Sequence, residues 1–168
     1  MFNIVLHEPE KPENTGNIGR TCVITGSNLH LIYPIGFNLT KKSIQRAGLD
    51  YWDRLNLFKY ANFAEFSEYF HNNFSSNNMW FATTKGKICY TDVQFNEGDF
   101  IVFGKESAGI PEEILSKDMT HCIRIPMLSD ERSLNLSNSV AIVLYEALRQ
   151  NKFKNMEKCG NLHRLKYL

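Results

Sequence analysis

Short unbroken apolar runs alternate along this chain with stretches in which apolar residues recur at spacings of three and four. Phe2–Leu6 is the first run. It ends at Glu8-Pro9 and reads as a buried strand. Pro12–Gly16 is turn chemistry, and a helix is predicted over Ile18–Thr25, stopped by Gly26. Leu29–Tyr33 is a second strand, closed by Pro34. Lys41–Ala47 reads as helical and ends at Gly48, and Leu55–Tyr60 is a third strand. Asn62 then caps a helix whose apolar positions are Phe63, Phe66 and Phe70. Met79–Ala82 and Phe100–Phe103 are further strands. Gly109–Glu113 opens another helix, with Pro111 and two carboxylates in its first turn. Cys122–Ile125 is the last strand. A strong helix over Asn135–Gln150 follows, with Leu136, Val140, Val143, Leu144, Ala147 and Leu148 on one face. Ala141 and Ile142 widen that face, as expected of a helix buried on more than one side, one of them a second subunit. The alternation predicts an α/β domain, a mostly parallel sheet with helices on both faces, over residues 1–150. Residues 151–168 form a separate basic tail. In such sheets ligands sit beyond the carboxyl ends of the strands, so polar loops there are the first places to look for chemistry.

Composition narrows the classes. The chain has 168 residues, 43% hydrophobic and 22% charged, enough for a single domain with its own core. Its 19 Lys+Arg stand against 18 Asp+Glu, which argues against a dominant basic field. Cys22, Cys89, Cys122 and Cys159 contain no C-x-x-C pair. The five histidines lack ligand spacing, so no metal is expected. No apolar window approaches the ~18 residues of a membrane span, and Met1–Glu8 does not read as a signal peptide. The expectation is a cytoplasmic protein with reduced thiols.

Three strand-end segments carry candidate chemistry. Asn14-Thr15-Gly16-Asn17-Ile18-Gly19-Arg20 has two glycines that would let a ligand approach the backbone, and one arginine. It is neither a dinucleotide fingerprint nor a P-loop. Gly104-Lys105-Glu106-Ser107-Ala108-Gly109 has the glycine spacing of a P-loop, but Ile110-Pro111 stands where Lys-Ser/Thr belongs. A neutral or cationic ligand suits it better, with Glu106 as its one carboxylate. Ser133, Asn135 and Ser137 cluster at the mouth of the last helix. They serve as a cap or as uncharged ligand contacts.

Taken in order, Asn-Thr-Gly-Asn-Ile-Gly-Arg, Phe-Gly-x-Glu-x-x-Gly-Ile-Pro and Ile-Pro-Met…Ser-x-Asn-Leu-Ser resemble the SPOUT superfamily of RNA methyltransferases. Asn3-Ile4-Val5-Leu6 with Glu8-Pro9-Glu10, Arg46–Tyr51 and Thr83-Thr84-Lys85-Gly86 resemble its TrmL-type branch, which methylates the wobble cytidine or uridine of tRNA at the ribose 2′-oxygen. The resemblance spans about residues 2–150. It implies a C-terminal trefoil knot, a homodimer with the last helix in its interface, and S-adenosylmethionine bound at Ala82, Gly104, Ile125 and Ser133. Glu106 would favour the cationic sulfonium. Arg20 falls on the family's catalytic arginine. Asn135 and Ser137 would form the floor of the site, and Tyr145 would reach it from the last helix. Lys11, Arg20, Lys41, Lys42 and Arg46 are the expected phosphate contacts. From Arg149 onward the tail holds six basic residues against Glu157, a net +5, and is an expected extra RNA contact. Two alternatives stand beside this reading: a 2′-O-methyltransferase with another target such as rRNA, and a non-catalytic RNA-binding module.

Overall fold

The computed structural model describes residues 1–39, 51–129 and 133–162. Seven strands form one sheet: β1 (Asn3–His7), β2 (Asn28–Ile32), β3 (Leu57–Tyr60), β4 (Met79–Ala82), β5 (Ile88–Cys89), β6 (Phe100–Phe103) and β7 (Cys122–Arg124). Their order is β3-β2-β1-β6-β4-β7-β5, and every pairing is parallel. Among the described residues the helices are α1 (Pro12–Thr25), α2 (Phe63–Asn73), α3 (Glu112–Leu115) and α4 (Leu136–Gln150).

The strands are continuous apolar runs because both faces of the sheet are covered. Ile4, Leu6, Ile101 and Phe103 face a core shared with Ile18 and Cys22 of α1 and the apolar stripe of α4. Val5, Phe100 and Val102 face the opposite core with Phe66 and Phe70 of α2 and Leu115 of α3. The period-two alternation along each strand therefore sorts residues between two cores. Because all strands run parallel, their carboxyl ends gather at one edge.

Three expectations need correction. Pro12–Gly16 is not a turn but the first turns of α1, with Pro12 at the head of the helix. A proline there sacrifices no helical hydrogen bond. The third strand starts at Leu57, since Trp52–Arg54 forms a 3₁₀ turn that ends at Leu55. Strand β5 has only two residues and was not predicted. The Lys41–Ala47 helix, together with Lys41, Lys42 and Arg46, lies outside the described residues, as do Arg164 and Lys166 of the tail.

The tail's charge is partly spent within the molecule. Lys154 pairs with Glu97 at 3.0 Å, Glu97 also holds the Met1 ammonium at 3.1 Å, and Arg149 pairs with Glu146 at 2.7 Å. Phe153 and Met156 pack against the α1–α4 core.

A buried histidine sets an acid limit on the fold. His30 is 1% exposed, stacked on Phe58, with its ring nitrogens 2.9 Å from the Tyr60 hydroxyl and 3.2 Å from Asn3 Oδ1. Burial pushes its pKa down to about 3. The folded state therefore keeps His30 neutral while the unfolded chain protonates it near its usual value. Stability is lost as the pH falls below about 6.5, by about 2 kcal/mol between about pH 7 and about pH 5. Buried His7, whose pKa is also lowered by desolvation, adds to the same trend. Denaturant melts at the two pH values check this. The His30→Gln variant should show a flatter pH dependence by that amount.

Candidate functional site

A cleft of about 540 Å³ opens at the carboxyl edge of the sheet. Its walls are the segments that follow β4 (Ala82–Lys85), β6 (Phe103–Ile110) and β7 (Arg124, Ile125, Met127), together with Ser133–Leu136, Ser139, and Lys11 and Asn14 at the start of α1. The volume lies within the ~300–1,000 Å³ typical of small-molecule sites. Ala82, Gly104, Glu106, Ile125, Ser133 and Asn135, candidates drawn from distant parts of the sequence, all line it. Lys11 also lines it. Arg20, Ser137 and Tyr145 do not.

The loop after β6 is a tight reversal. The Gly109 N–H donates to Lys105 C=O at 2.8 Å. A Cβ on Gly104 would lie 2.0 Å from the Gly109 carbonyl carbon and 2.2 Å from the Ile110 nitrogen, so only glycine fits there. The loop brings peptide edges and the small side chains of Ser107 and Ala108 to the cleft, beside Lys105 and Glu106.

Asn14 joins two of the three sequence segments to its own. Its Nδ2 donates to Glu106 at 2.7 Å, and its Oδ1 accepts from Asn135 Nδ2 at 3.0 Å. Asn135 is in turn the N-cap of α4, accepting from the Ser137 and Asn138 N–H groups and from the Ser137 hydroxyl. Capping and site-building are thus the same structure. Ser137 supports Asn135 from outside the cleft.

Glu106 has a different environment from the expected one. Its carboxylate accepts from the Glu10 and Lys11 N–H groups, at 2.8 and 3.3 Å, as well as from Asn14. It therefore serves as a counter-charge for the start of α1, whose first N–H groups have no helical partner. The nearby Lys105 and Lys85 are also paired, with Glu8 at 3.0 Å and Glu112 at 3.1 Å. Much of the formal charge at the cleft is thereby compensated. Among the described residues no group of His, Cys, Asp and Glu is arranged to hold a metal ion.

Arg20 lies on the exposed side of α1, its guanidinium 5.3 Å from the centre of the Tyr51 ring. Tyr51 is buried, and its hydroxyl donates to Gly16 C=O at 2.5 Å. Gly19 of this segment makes room for protein side chains. A Cβ on Gly19 would meet the Trp52 ring at 3.1 Å. Tyr51 is thus a supporting residue for Arg20. Tyr145 is 41% exposed and lies beside Phe153 of the tail, with ring centres 6.5 Å apart.

No helix among the described residues is long and apolar enough to cross a membrane. The sequence signature described as the SpoU rRNA Methylase family matches residues 1–145. A tRNA (cytidine(34)-2′-O)-methyltransferase of Methylovorus glucosotrophus is 47% identical over 154 residues, covering 91% of this chain and 97% of that protein. One of the same description from Saccharophagus degradans is 46% identical, with coverage of 91% and 97%. A solved structure described as giving insights into 2-OH methylation of C/U34 on tRNA superposes with a TM-score of 0.82, at 39% identity, over 92% of this chain and 98% of that one. Matched along nearly its whole length by sequence and by backbone, the chain belongs to the SpoU rRNA methylase family.

Proposed function

We propose that this protein is an S-adenosylmethionine-dependent tRNA 2′-O-ribose methyltransferase acting on the wobble cytidine or uridine of the anticodon loop. The observation that carries this reading is the convergence of three distant loops on one cleft at the carboxyl edge of the sheet, in a chain nearly half identical to relatives of that description. An open anticodon loop exposes its nucleotides without melting a helix, which is how single-stranded RNA is usually recognised.

The cleft fits the cofactor in size and chemistry. Ala82, Gly104, Ile125 and Ser133 would hold it through peptide edges and apolar contact, and it supplies a methyl group already activated on a sulfonium. The protein's own work is then alignment and charge stabilisation, with alignment alone worth up to ~7–11 kcal/mol in ideal cases. Asn14 and Asn135 fix the wall of the cleft. Glu106 anchors the start of α1, the helix that carries Arg20. The Arg20 guanidinium orients the ribose or its phosphate and stabilises the developing alkoxide. A guanidinium carries donors and no acceptor, so it suits charge stabilisation and not the role of base. Lys11 is a phosphate contact at the rim.

The protein acts in the cytoplasm as a homodimer whose chains carry the family's C-terminal knot. Ile24 of α1 and Ile142 and Tyr145 of α4 are exposed hydrophobics on two helices that pack together, which favours a second copy covering them.

Incubation with methyl-labelled S-adenosylmethionine and total tRNA, followed by mapping of the labelled nucleotide, tests the reading. Label at the ribose of nucleotide 34 is the expected result. Label in rRNA and none in tRNA would instead identify a ribosomal target.

A further inference from the structure

The cleft loop Gly104–Gly109 is held from behind by Glu8, Glu10 and Gly36, which do not line the cleft. Ser107 donates twice to the Glu10 carboxylate, from its N–H at 2.8 Å and from its hydroxyl at 2.7 Å. In return the Glu10 and Lys11 N–H groups donate to the Glu106 carboxylate. Each strand-end loop thus gives a carboxylate and takes two donors from the other. This reciprocity fixes position in a way that a single bond would not.

A third segment sets the height of Glu10. The Gly36 N–H donates to Pro9 C=O at 2.9 Å. A Cβ on Gly36 would lie 2.8 Å from both the Cα and the carbonyl oxygen of Glu10. Contacts that short against backbone force a shift of the chain. The Lys105–Glu8 pair closes the same brace from the other end of the loop, with Glu8 in a left-handed backbone conformation. A non-glycine residue held there marks a locally over-determined segment.

We propose that Glu10 and Gly36 are positioning residues that hold loop Gly104–Gly109 in its cofactor-binding shape. The proposal rests on reading the cleft as the S-adenosylmethionine site. Neither residue lines the cleft, so neither touches the cofactor directly. Their effect is on the conformation that the free protein presents, and pre-organisation of a binding loop appears as affinity. The Ser107 hydrogen bonds also hold the Glu10 carboxyl below its usual range, so the brace stays ionised at neutral pH.

Glu10→Ala, Glu10→Gln and Gly36→Ala test this with two readouts. The first is amide hydrogen exchange over residues 104–109 in protein without cofactor. The second is the dissociation constant for S-adenosylmethionine by calorimetry, with kcat measured at saturating cofactor. Glu10→Ala should speed exchange in the loop and weaken binding, each by about tenfold, with kcat within about twofold of wild type. Glu10→Gln keeps an acceptor oxygen and should restore most of both. Gly36→Ala should act in the same direction, and combining it with Glu10→Ala should add little, since both release one brace. Unchanged loop exchange in Glu10→Ala overturns the proposal. So does faster exchange spread evenly over the strands, or a loosened loop that binds the cofactor normally. If the wild-type protein binds no S-adenosylmethionine, the cofactor reading fails on its own account, and the loop exchange still decides whether the brace exists.

Discussion

Replacing Arg20 by alanine is expected to lower methyl transfer by about 10²–10³-fold, the usual cost of removing one donor aimed at developing negative charge. The same variant should keep its cofactor affinity, because Arg20 does not line the cleft and lies against the Tyr51 ring. The two measurements together carry the argument. Labelled methyl transfer reads the loss, and calorimetric titration with S-adenosylmethionine reads the retention. Arg20→Lys should recover only part of the rate, because an ammonium lacks the planar fork and stacks less well on an aromatic ring. Tyr51→Phe keeps that ring but removes the hydroxyl bond to Gly16, and should cost less than Arg20→Ala. Full activity in Arg20→Ala would show that the alkoxide is stabilised elsewhere.

That Arg20 could be nominated at all reflects what a sequence makes visible. The strands were readable because both faces of the sheet are buried, so each strand became an unbroken apolar run. Asn62 was readable as a cap because its bond, to Glu65 N–H at 3.0 Å, is local. The start of α1 was misplaced for the opposite reason. Asn14, Thr15 and Gly16 are poor helix formers, and what steadies them is Glu106, ninety-two residues away from Asn14. The sequence contains that carboxylate but not its address. The same limit hid the roles of Asn14, Glu10 and Gly36, each of which acts through a partner on another strand-end loop. Strand β5 escaped because two residues carry no periodicity. The tail's net +5 was an arithmetic fact, but Glu97 and Glu146 claim two of its charges in space.

Asp99 shows how far such distance effects reach, and its loss should have the largest effect on stability. It is fully buried just before β6, and its carboxylate's hydrogen-bond partners among the described residues are neutral donors. Its carboxylate instead accepts from the Asn78 N–H at 2.9 Å, the Asn78 side-chain amide at 3.3 Å, the Trp80 indole at 3.1 Å and the Asn96 N–H at 2.9 Å. Its backbone C=O accepts from the Asn3 N–H at 3.0 Å. One side chain thereby ties the entry to β4 to the turn before β6, beside the start of β1. Asp99→Ala strands the buried Trp80 indole N–H and three part-buried donors, each buried one worth roughly 1–3 kcal/mol when left unpaired, so a loss of about 4 kcal/mol is expected. Against a total of ~5–15 kcal/mol that is a large fraction, and Tm should fall by on the order of 10 °C. Asp99→Asn is the sharper test, since it keeps size and shape. Its amide must turn a donor toward donors whichever way it rotates, so it should destabilise nearly as much as alanine. A thermal melt of Asp99→Asn close to wild type would mean that the acceptor geometry is not what holds this end of the sheet.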